Sequence, residues 1–282
     1  MLLLTALLAA GCASPGSADG ADRGPVDVLY AGSLVNLMEK SIGPAFNRDT
    51  GYRFTGFAGG SKALAAEIKG KVRVADVFIS ASPAVNTSLM GAGNGQWLSW
   101  YATFARSSLV LGYSEQSRFA AQLRTRPWYS VITEPGFRLG RTDPATDPKG
   151  QFTIQALTEA AQRYNDPGLT RLTKETDSIF PEETLVGRLQ AGQLDGGFFY
   201  TIEAAQARIR AVPLTPIDVS ASYTLSVVNR SPHQAAALAF VDYLLGPRGR
   251  GLLTAQGLTL VRPARVSGSG VPEKLRGVIP AS

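Results

Sequence analysis

Two serines stand where a predicted strand passes into a predicted helix, a position that suits the binding of an anion. Ser33 follows the apolar run Val26–Tyr30, and Ser61 follows the Ala-Gly-Gly sequence at 58–60. The first turn of a helix presents unpaired backbone N–H groups and the positive end of its dipole. A serine hydroxyl adds a neutral donor, and a glycine lets a ligand approach the backbone closely. Either serine by itself would be interpreted as an ordinary helix cap.

The elements around these serines determine whether they can act together. Residue type and periodicity predict strands at 26–30, 52–57, 75–80, 108–113, 137–141, 196–200 and 223–229. Helices are predicted at 34–42, 61–68, 151–164, 182–191 and 232–245. This alternation is typical of an α/β fold with parallel strands. Both serine turns would then leave the carboxyl edge of one sheet side by side, where such sheets bind ligands.

Composition narrows the class of protein. The 282 residues are enough for one large domain or two ordinary ones, and 44% of them are hydrophobic, as expected of a globular core. The formal charge of +6 should attract anions mildly. The basic residues form no run of five or six, so a nucleic-acid-binding arm is not expected.

The first residues read as a leader that is separate from the fold. Met1–Ala10 is apolar but too short to span a bilayer, and Cys12 follows it directly after Gly11. The pattern resembles a bacterial lipobox, in which Cys12 would be lipidated, although a basic n-region is missing. A plain signal peptide with an incidental cysteine is the alternative. Because Cys12 is the one cysteine, no internal disulfide can form. The Gly-, Ser- and Ala-rich stretch at 13–25 is predicted to be a flexible linker.

Six short segments carry further glycine, serine and aromatic patterns: Tyr30–Leu34, Gly56–Leu64, Ala75–Ala81, Asp147–Gly150, Asp195–Tyr200 and Phe240–Pro247. Together, and in this order, they resemble the molybdate/tungstate-binding proteins of ABC transporters. The resemblance implies the type II periplasmic-binding fold, in which two α/β lobes with central mixed sheets are joined by two crossover strands. The first lobe would contain residues 26–107 and 223–282, and the second lobe residues 108–222.

The resemblance also implies a binding site and a role. The hydroxyls of Ser33, Ser61 and Tyr200 would bind the oxyanion, together with backbone N–H groups at Lys149 and near Glu183. The protein would be a monomeric, extracytoplasmic lipoprotein that passes molybdate or tungstate to an ABC permease. It would need no cofactor and no catalytic residue.

The chain departs from some members of that group. Archaeal tungstate-binding relatives add two carboxylates to the metal, and the resemblance puts Phe199 at one of those positions. The oxyanion is therefore expected to stay tetrahedral and to be bound only through its oxygens. Asp147 is predicted to be a turn residue before Pro148, and Lys62 a solvated helix residue. Because every assigned group is then a donor, the site is expected to reject protonated phosphate.

Besides a lipoprotein sensor that would present the bound ligand to a signalling partner, two alternatives remain open from the sequence. The segment Gly59–Ala63 lies one residue away from the G-x-S-x-G pattern of serine hydrolases, with Ser61 as nucleophile. The single histidine, His233, would have to be the base, although a capping or surface role is the expectation for it. A binding protein of the same fold for sulfate or another small anion is the second alternative. A P-loop and a cluster with metal-ligand spacing are both missing from the sequence.

Overall fold

A computed structural model describes residues 23–279 of the chain. The predicted leader and Cys12 lie outside the described residues. The strands are β1 Pro25–Ala31, β2 Arg53–Gly59, β3 Val77–Ser80, β4 Trp100–Tyr113, β5 Leu139–Gly140, β6 Gly196–Tyr200, β7 Arg210–Pro213, β8 Ser220–Val227 and β9 Thr259–Gly268.

The α-helices are α1 Val35–Leu37, α2 Gly43–Thr50, α3 Ser61–Lys69, α4 Pro83–Thr87, α5 Ala120–Thr125, α6 Trp128–Ile132, α7 Pro148–Tyr164, α8 Pro167–Lys174, α9 Glu182–Gln190, α10 Thr201–Gln206, α11 Gln234–Leu245 and α12 Pro247–Ala255. Within residues 23–279, no helix combines the length and the apolar character needed to cross a bilayer.

The first group of strands has β1 at its centre. β1 is parallel to β2 on one side and to β3 on the other, and β8 adds to β3 in the antiparallel direction. Val28 and Tyr30 point into one hydrophobic cluster, and Leu29 points into a second cluster on the other face of the sheet. A strand that is covered on both faces needs a nearly continuous apolar sequence, which explains the run Val26–Tyr30.

The long strand β4 connects this group to a second one. Its first part pairs with β8 and β9, and its last part pairs with β6 and β7. The change of partners falls between Ser108 and Leu109. β5 completes the second group beside β6. The result is a mixed sheet of nine strands in two α/β lobes, with β4 running through both.

The helical segment after β1 differs from the sequence prediction. A helix disturbed at Gly43-Pro44 was expected, but the chain stays helical from Gly32 to Thr50. The segment Met38–Ile42 is a π-helix, and Pro44 lies at the start of α2. Proline lacks the N–H that would continue a regular α-helix, and a wider π turn before it is one way to accommodate that loss.

Candidate functional site

The turns that contain Ser33 and Ser61 lie side by side at the carboxyl edge of the first lobe, as the strand pattern predicted. Ala31 at the end of β1 is paired with Gly59 at the end of β2. Ser33 lies in a 3-10 turn that precedes α1, and Ser61 is the first residue of α3. Both side chains are buried, with exposures of 2% and 0%.

The two serine hydroxyls accept hydrogen bonds from inside the protein. Ser33 Oγ accepts from the Tyr223 hydroxyl at 2.9 Å, and Ser61 Oγ accepts from the Ala81 N–H at 3.1 Å. Neither side chain caps its own helix. A hydroxyl oxygen that accepts in this way still has its own proton to donate. The arrangement fits hydroxyls that are held in place to donate to a ligand oxygen.

The second lobe contributes the N-terminus of α7. Asp147 is the N-cap of this helix, and its Oδ1 accepts from the Lys149 N–H at 2.9 Å. The cap role agrees with the turn role predicted from the sequence. The N–H that the resemblance assigned to the ligand is thus engaged by Asp147. The Lys149 side chain is fully buried, and its Nζ lies 2.7 Å from Glu203 Oε1 and 3.3 Å from Glu182 Oε1.

The helix α9 brings a carboxylate to the first lobe. It begins at Glu182, and Glu183 is its second residue. Glu182 Oε2 accepts a hydrogen bond from the Gly32 N–H at 3.0 Å, in a buried position. A side chain added at Gly32 would collide with this carboxylate, since its Cβ would lie 2.6 Å from Glu182 Oε2. Glu182 is therefore the α9 residue that meets the serine turns.

Tyr200 lies at the end of β6 and is fully buried. Its hydroxyl has no hydrogen-bond partner among residues 23–279. The ring meets that of Tyr223 edge to face with centroids 6.1 Å apart, and Tyr223 in turn contacts Ser33. The Tyr200 N–H donates to Glu203 Oε2 at 2.8 Å. Tyr200 thus joins the second lobe to the serine turns through Tyr223.

The charges in this cluster are mostly negative. Burial raises the pKa of Asp147 and, to a larger extent, that of Glu182, where Asp147 adds to the effect and Lys149 opposes it. Burial by itself would lower the pKa of Lys149, but Glu203, Glu182 and Asp147 raise it above its ordinary value. Burial also raises the pKa of the Tyr200 hydroxyl. One ammonium thus faces three carboxylates, and Asp147 Oδ2 has no hydrogen-bond partner within the described residues.

Backbone contacts hold the two lobes together next to this cluster. The carbonyl of Thr146 accepts from the N–H groups of Lys62 and Ala63 at 3.1 and 3.2 Å. Lys62 Nζ donates to the Pro144 carbonyl at 2.8 Å. Lys62, which was predicted to be a solvated helix residue, is half-buried, and its side chain bridges the interface between the lobes. A cavity of about 390 Å³ opens at the same interface, with Gly60, Asp147 and Glu182 in its wall.

The contacts of Phe199 and Glu182 bear on two predictions, namely a tetrahedral oxyanion and a site made only of hydrogen-bond donors. Phe199 is buried in a small hydrophobic cluster with Leu185 and Leu189. The structure nevertheless supplies a second carboxylate beside Asp147, that of Glu182, which the sequence analysis did not select. The expected set of donors alone is therefore incomplete.

His233 lies far from Ser61. It precedes α11, and its Nδ1 is 2.9 Å from Asp76 Oδ2 at the amino edge of β3. Ser61 begins α3 at the carboxyl edge of the same sheet. A seven-residue strand such as β1 spans roughly 20 Å between these edges. His233 is thus not placed to act as a base for Ser61.

Comparison with known proteins identifies the family. The sequence profile of the bacterial extracellular solute-binding proteins matches residues 26–259. The chain belongs to this family. It is 31% identical over 237 residues to a Haloferax volcanii protein named as an ABC transporter molybdenum-binding protein, covering 84% of this chain and 70% of the relative. It is 22% identical over 336 residues to the molybdate/tungstate-binding protein WtpA of Pyrococcus abyssi, covering 98% and 96%.

Solved structures agree on the fold. The periplasmic molybdate-binding protein of Azotobacter vinelandii matches with a TM-score of 0.66 at 21% identity, over 84% of this chain and 100% of that one. The sulfate-binding protein SubI of Mycobacterium tuberculosis matches with a TM-score of 0.67 at 16% identity, over 86% and 88%. The type II periplasmic-binding fold, and the family resemblance that implied it, are confirmed.

Proposed function

We propose that this chain is the extracytoplasmic substrate-binding protein of an ABC importer, and that it binds molybdate or tungstate between its lobes. The observation that carries the proposal is the meeting of both lobes at one buried polar cluster. Ser33 and Ser61 come from the first lobe and Tyr200 from the second. The Tyr200 hydroxyl has no partner in the described residues. Two relatives bear molybdate-related names, which supports the choice of ligand.

The carboxylates refine the binding mode. A tetrahedral oxyanion was expected because Phe199 takes the place of one of the two carboxylates that bind the metal in archaeal relatives. Glu182 supplies a second carboxylate from another position, so this reason no longer holds. Asp147 and Glu182 provide a pair of the kind that the resemblance attributes to archaeal tungstate-binding proteins, where carboxylates add to the metal. We therefore propose that these two side chains approach the metal centre, while the hydroxyls of Ser33, Ser61 and Tyr200 donate to its oxygens.

Sulfate is the second candidate, because a sulfate-binding protein shares the fold about as closely as a molybdate-binding one. A sulfate ion carries no proton at neutral pH and needs donors only. Buried carboxylates beside it would repel it without a compensating interaction. The oxygens of Asp147 and Glu182 can add to a molybdenum or tungsten centre but not to sulfur, so this pair favours molybdate or tungstate.

Thermal unfolding with a panel of oxyanions tests the proposal. A ligand that binds only the folded state stabilises it by RT ln(1 + [L]/Kd), about 4 kcal/mol at a thousandfold excess over Kd. We expect molybdate and tungstate to raise the melting temperature clearly, and sulfate and phosphate to raise it less. An unchanged melting temperature with all four anions at millimolar concentration would contradict the assignment of an oxyanion ligand.

The remaining parts of the proposal concern location and assembly. Lipidation at Cys12 would hold the protein, as a monomer, on the outer face of the membrane, close to its permease. The lobes would comprise residues 26–107 with 223–282, and 108–222. The family of extracellular solute-binding proteins supports the extracytoplasmic location.

A further inference from the structure

The most exposed large hydrophobic side chains of the described chain lie together in one loop. Val72 is 71% exposed and Val74 is 55% exposed. Both belong to the segment between α3 and β3, where Lys71 and Arg73 alternate with them, and Lys69 ends α3 just before it; all three basic residues are exposed. We refer to Lys69–Val74 as the basic loop. The two exposed valines and the basic residues beside them give this loop both apolar and cationic character.

One further basic residue, Arg230, lies beside the basic loop. Arg230 is exposed, and its guanidinium lies 5.2 Å from the centroid of the Trp97 ring. Both residues, with Ile68, Lys71 and Val74, line a cavity of about 230 Å³. The surface therefore combines an apolar floor with cationic side chains.

The acidic groups nearby already have partners within the protein. Glu67 pairs with Arg73 at 2.8 Å. Asp27 and Asp76 lie on either side of His233, whose Nδ1 is 3.6 Å and 2.9 Å from them. Within the described residues, neither Lys69 nor Lys71 makes an ion pair. The surface is thus complementary to an anionic, partly apolar partner.

The position of the basic loop relative to the sheet indicates what kind of anionic partner it contacts. β1 and β3 are parallel, with Val28 opposite Val77, so the loop before β3 lies at the edge where β1 begins. The chain enters the fold at this edge, since the Arg23 N–H bonds to the Gly51 carbonyl just before β1. Residues 1–22, which include Cys12, precede the domain at this edge in the sequence. A membrane that holds the N-terminal segment would face the basic loop.

We propose that the basic loop and Arg230 form a contact surface for an anionic lipid bilayer. The valines would enter the interface between headgroups and acyl chains, and the basic side chains would approach the lipid phosphates. The ligand site lies at the opposite edge of the sheet, roughly 20 Å away along β1. The bound protein would thus turn its cleft away from the bilayer, toward free solute. This inference rests on the proposed anchoring of the N-terminal segment to a membrane, and it does not depend on the identity of the ligand.

A fluorescent label on the loop tests the contact directly. Cys12→Ser in the full chain leaves no other thiol, so Val72→Cys can carry an environment-sensitive dye. With vesicles of phosphatidylcholine and phosphatidylglycerol, we expect a blue shift that high salt reduces and that pure phosphatidylcholine does not produce. The same dye at Ala121→Cys, exposed on α5 of the second lobe, should stay in water. A dye at position 72 that stays in water, or equal shifts at both positions, would overturn the proposal.

Removal of positive charge from the basic loop is the second test of the proposal. Lys69→Gln with Lys71→Asn keeps a residue that tolerates the left-handed backbone at position 71, where φ is +55°. Each basic group near an anionic surface contributes about a fivefold factor in binding, so the pair should lower vesicle binding by about 25-fold. The control pair, Arg124→Gln with Arg163→Gln, removes the same charge from exposed sites on the second lobe. An equal loss in both pairs would mean a general charge effect and would refute a specific surface. The proposal of a membrane contact would also be refuted if the basic loop bound an acidic protein but did not contact the vesicles.

Discussion

The carboxylate of Glu182 in the second lobe accepts a hydrogen bond from the backbone N–H of Gly32 in the first lobe, over 3.0 Å. The other oxygen of the same carboxylate lies 3.3 Å from the Lys149 ammonium. Glu182 therefore couples the turn that precedes Ser33 to the buried charges of the second lobe. Any movement that separates the lobes has to break this hydrogen bond.

The charge on Glu182 should make the ligand-free protein less stable at high pH. Its pKa in the folded state is raised, so between its unfolded pKa and that higher value the folded protein binds more protons than the unfolded one. Stability then falls as pH rises, by up to about 1.4 kcal/mol per pH unit for each proton involved. Glu182→Gln should flatten this dependence in urea unfolding between pH 5 and 8.5. Glu159→Gln, on the exposed surface of α7, is the control; identical slopes in all three proteins would contradict the argument.

Removal of the serine hydroxyls should weaken ligand binding. A hydrogen bond to a charged group is worth about 1.5–3 kcal/mol, so Ser33→Ala and Ser61→Ala should each raise Kd for molybdate by roughly ten- to a hundredfold. Ser61→Ala should also lower stability, because the buried Ala81 N–H loses its acceptor. Isothermal titration calorimetry measures the first effect and thermal melting the second. The control variant Ser130→Ala, on the second lobe, should leave the Kd for molybdate unchanged. Normal binding by both Ser33→Ala and Ser61→Ala would show that these serines have only structural roles.

Lys149 should be essential for stability rather than for direct ligand contact. Lys149→Met leaves Glu203 and Glu182 buried without their cation, and removal of one partner from a buried ion pair costs about 3–5 kcal/mol. The double variant Lys149→Met/Glu203→Gln should recover part of the lost stability, since it removes one of the unpaired charges. Chemical denaturation at pH 7 measures both. A single variant as stable as the wild type would mean that the ammonium does not balance these carboxylates.

The carboxylate pair should discriminate against sulfate. Burial raises the pKa of Asp147 and Glu182, so a negative charge on either is costly beside a dianion, and only a metal centre that accepts their oxygens offsets that cost. We expect sulfate to bind at least about tenfold more weakly than molybdate, a difference of about 1.4 kcal/mol. The double variant Asp147→Asn/Glu182→Gln should narrow this gap, mainly through weaker binding of molybdate. Competition calorimetry at pH 7.5 provides the test, and a gap that the double variant leaves unchanged would exclude the carboxylates as the source of selectivity.

Lipidation at Cys12 should determine where the protein is found. Stable anchoring needs more than one acyl chain, which bacterial lipidation would provide. The wild-type protein should sediment with membranes and Cys12→Ser should be released in soluble form. Wild-type protein that is soluble and cleaved elsewhere would show that the lipobox interpretation is wrong.

The sequence by itself determined the fold class, the parallel strands and the adjacency of the two serine turns. These follow from local signals: an apolar run buried on both faces gives β1, and glycine with serine at a strand end gives the turns. The pattern also predicted β6 at Gly196–Tyr200 with its correct bounds. These local signals did not predict the buried carboxylates of the site.

Only the tertiary structure decided the charges of the site. Glu182 follows Pro181 at a helix start, and Asp147 precedes Pro148, where acidic residues are common because they favour helix N-termini. Nothing local distinguishes such a residue from one that is buried against the other lobe. Lys149 presents the same difficulty, since its burial depends on Glu203, which lies 54 positions away in the sequence. Burial of charge is a property of elements that meet in space, and therefore the sequence predicted the two adjacent serine turns but not the carboxylates beside them.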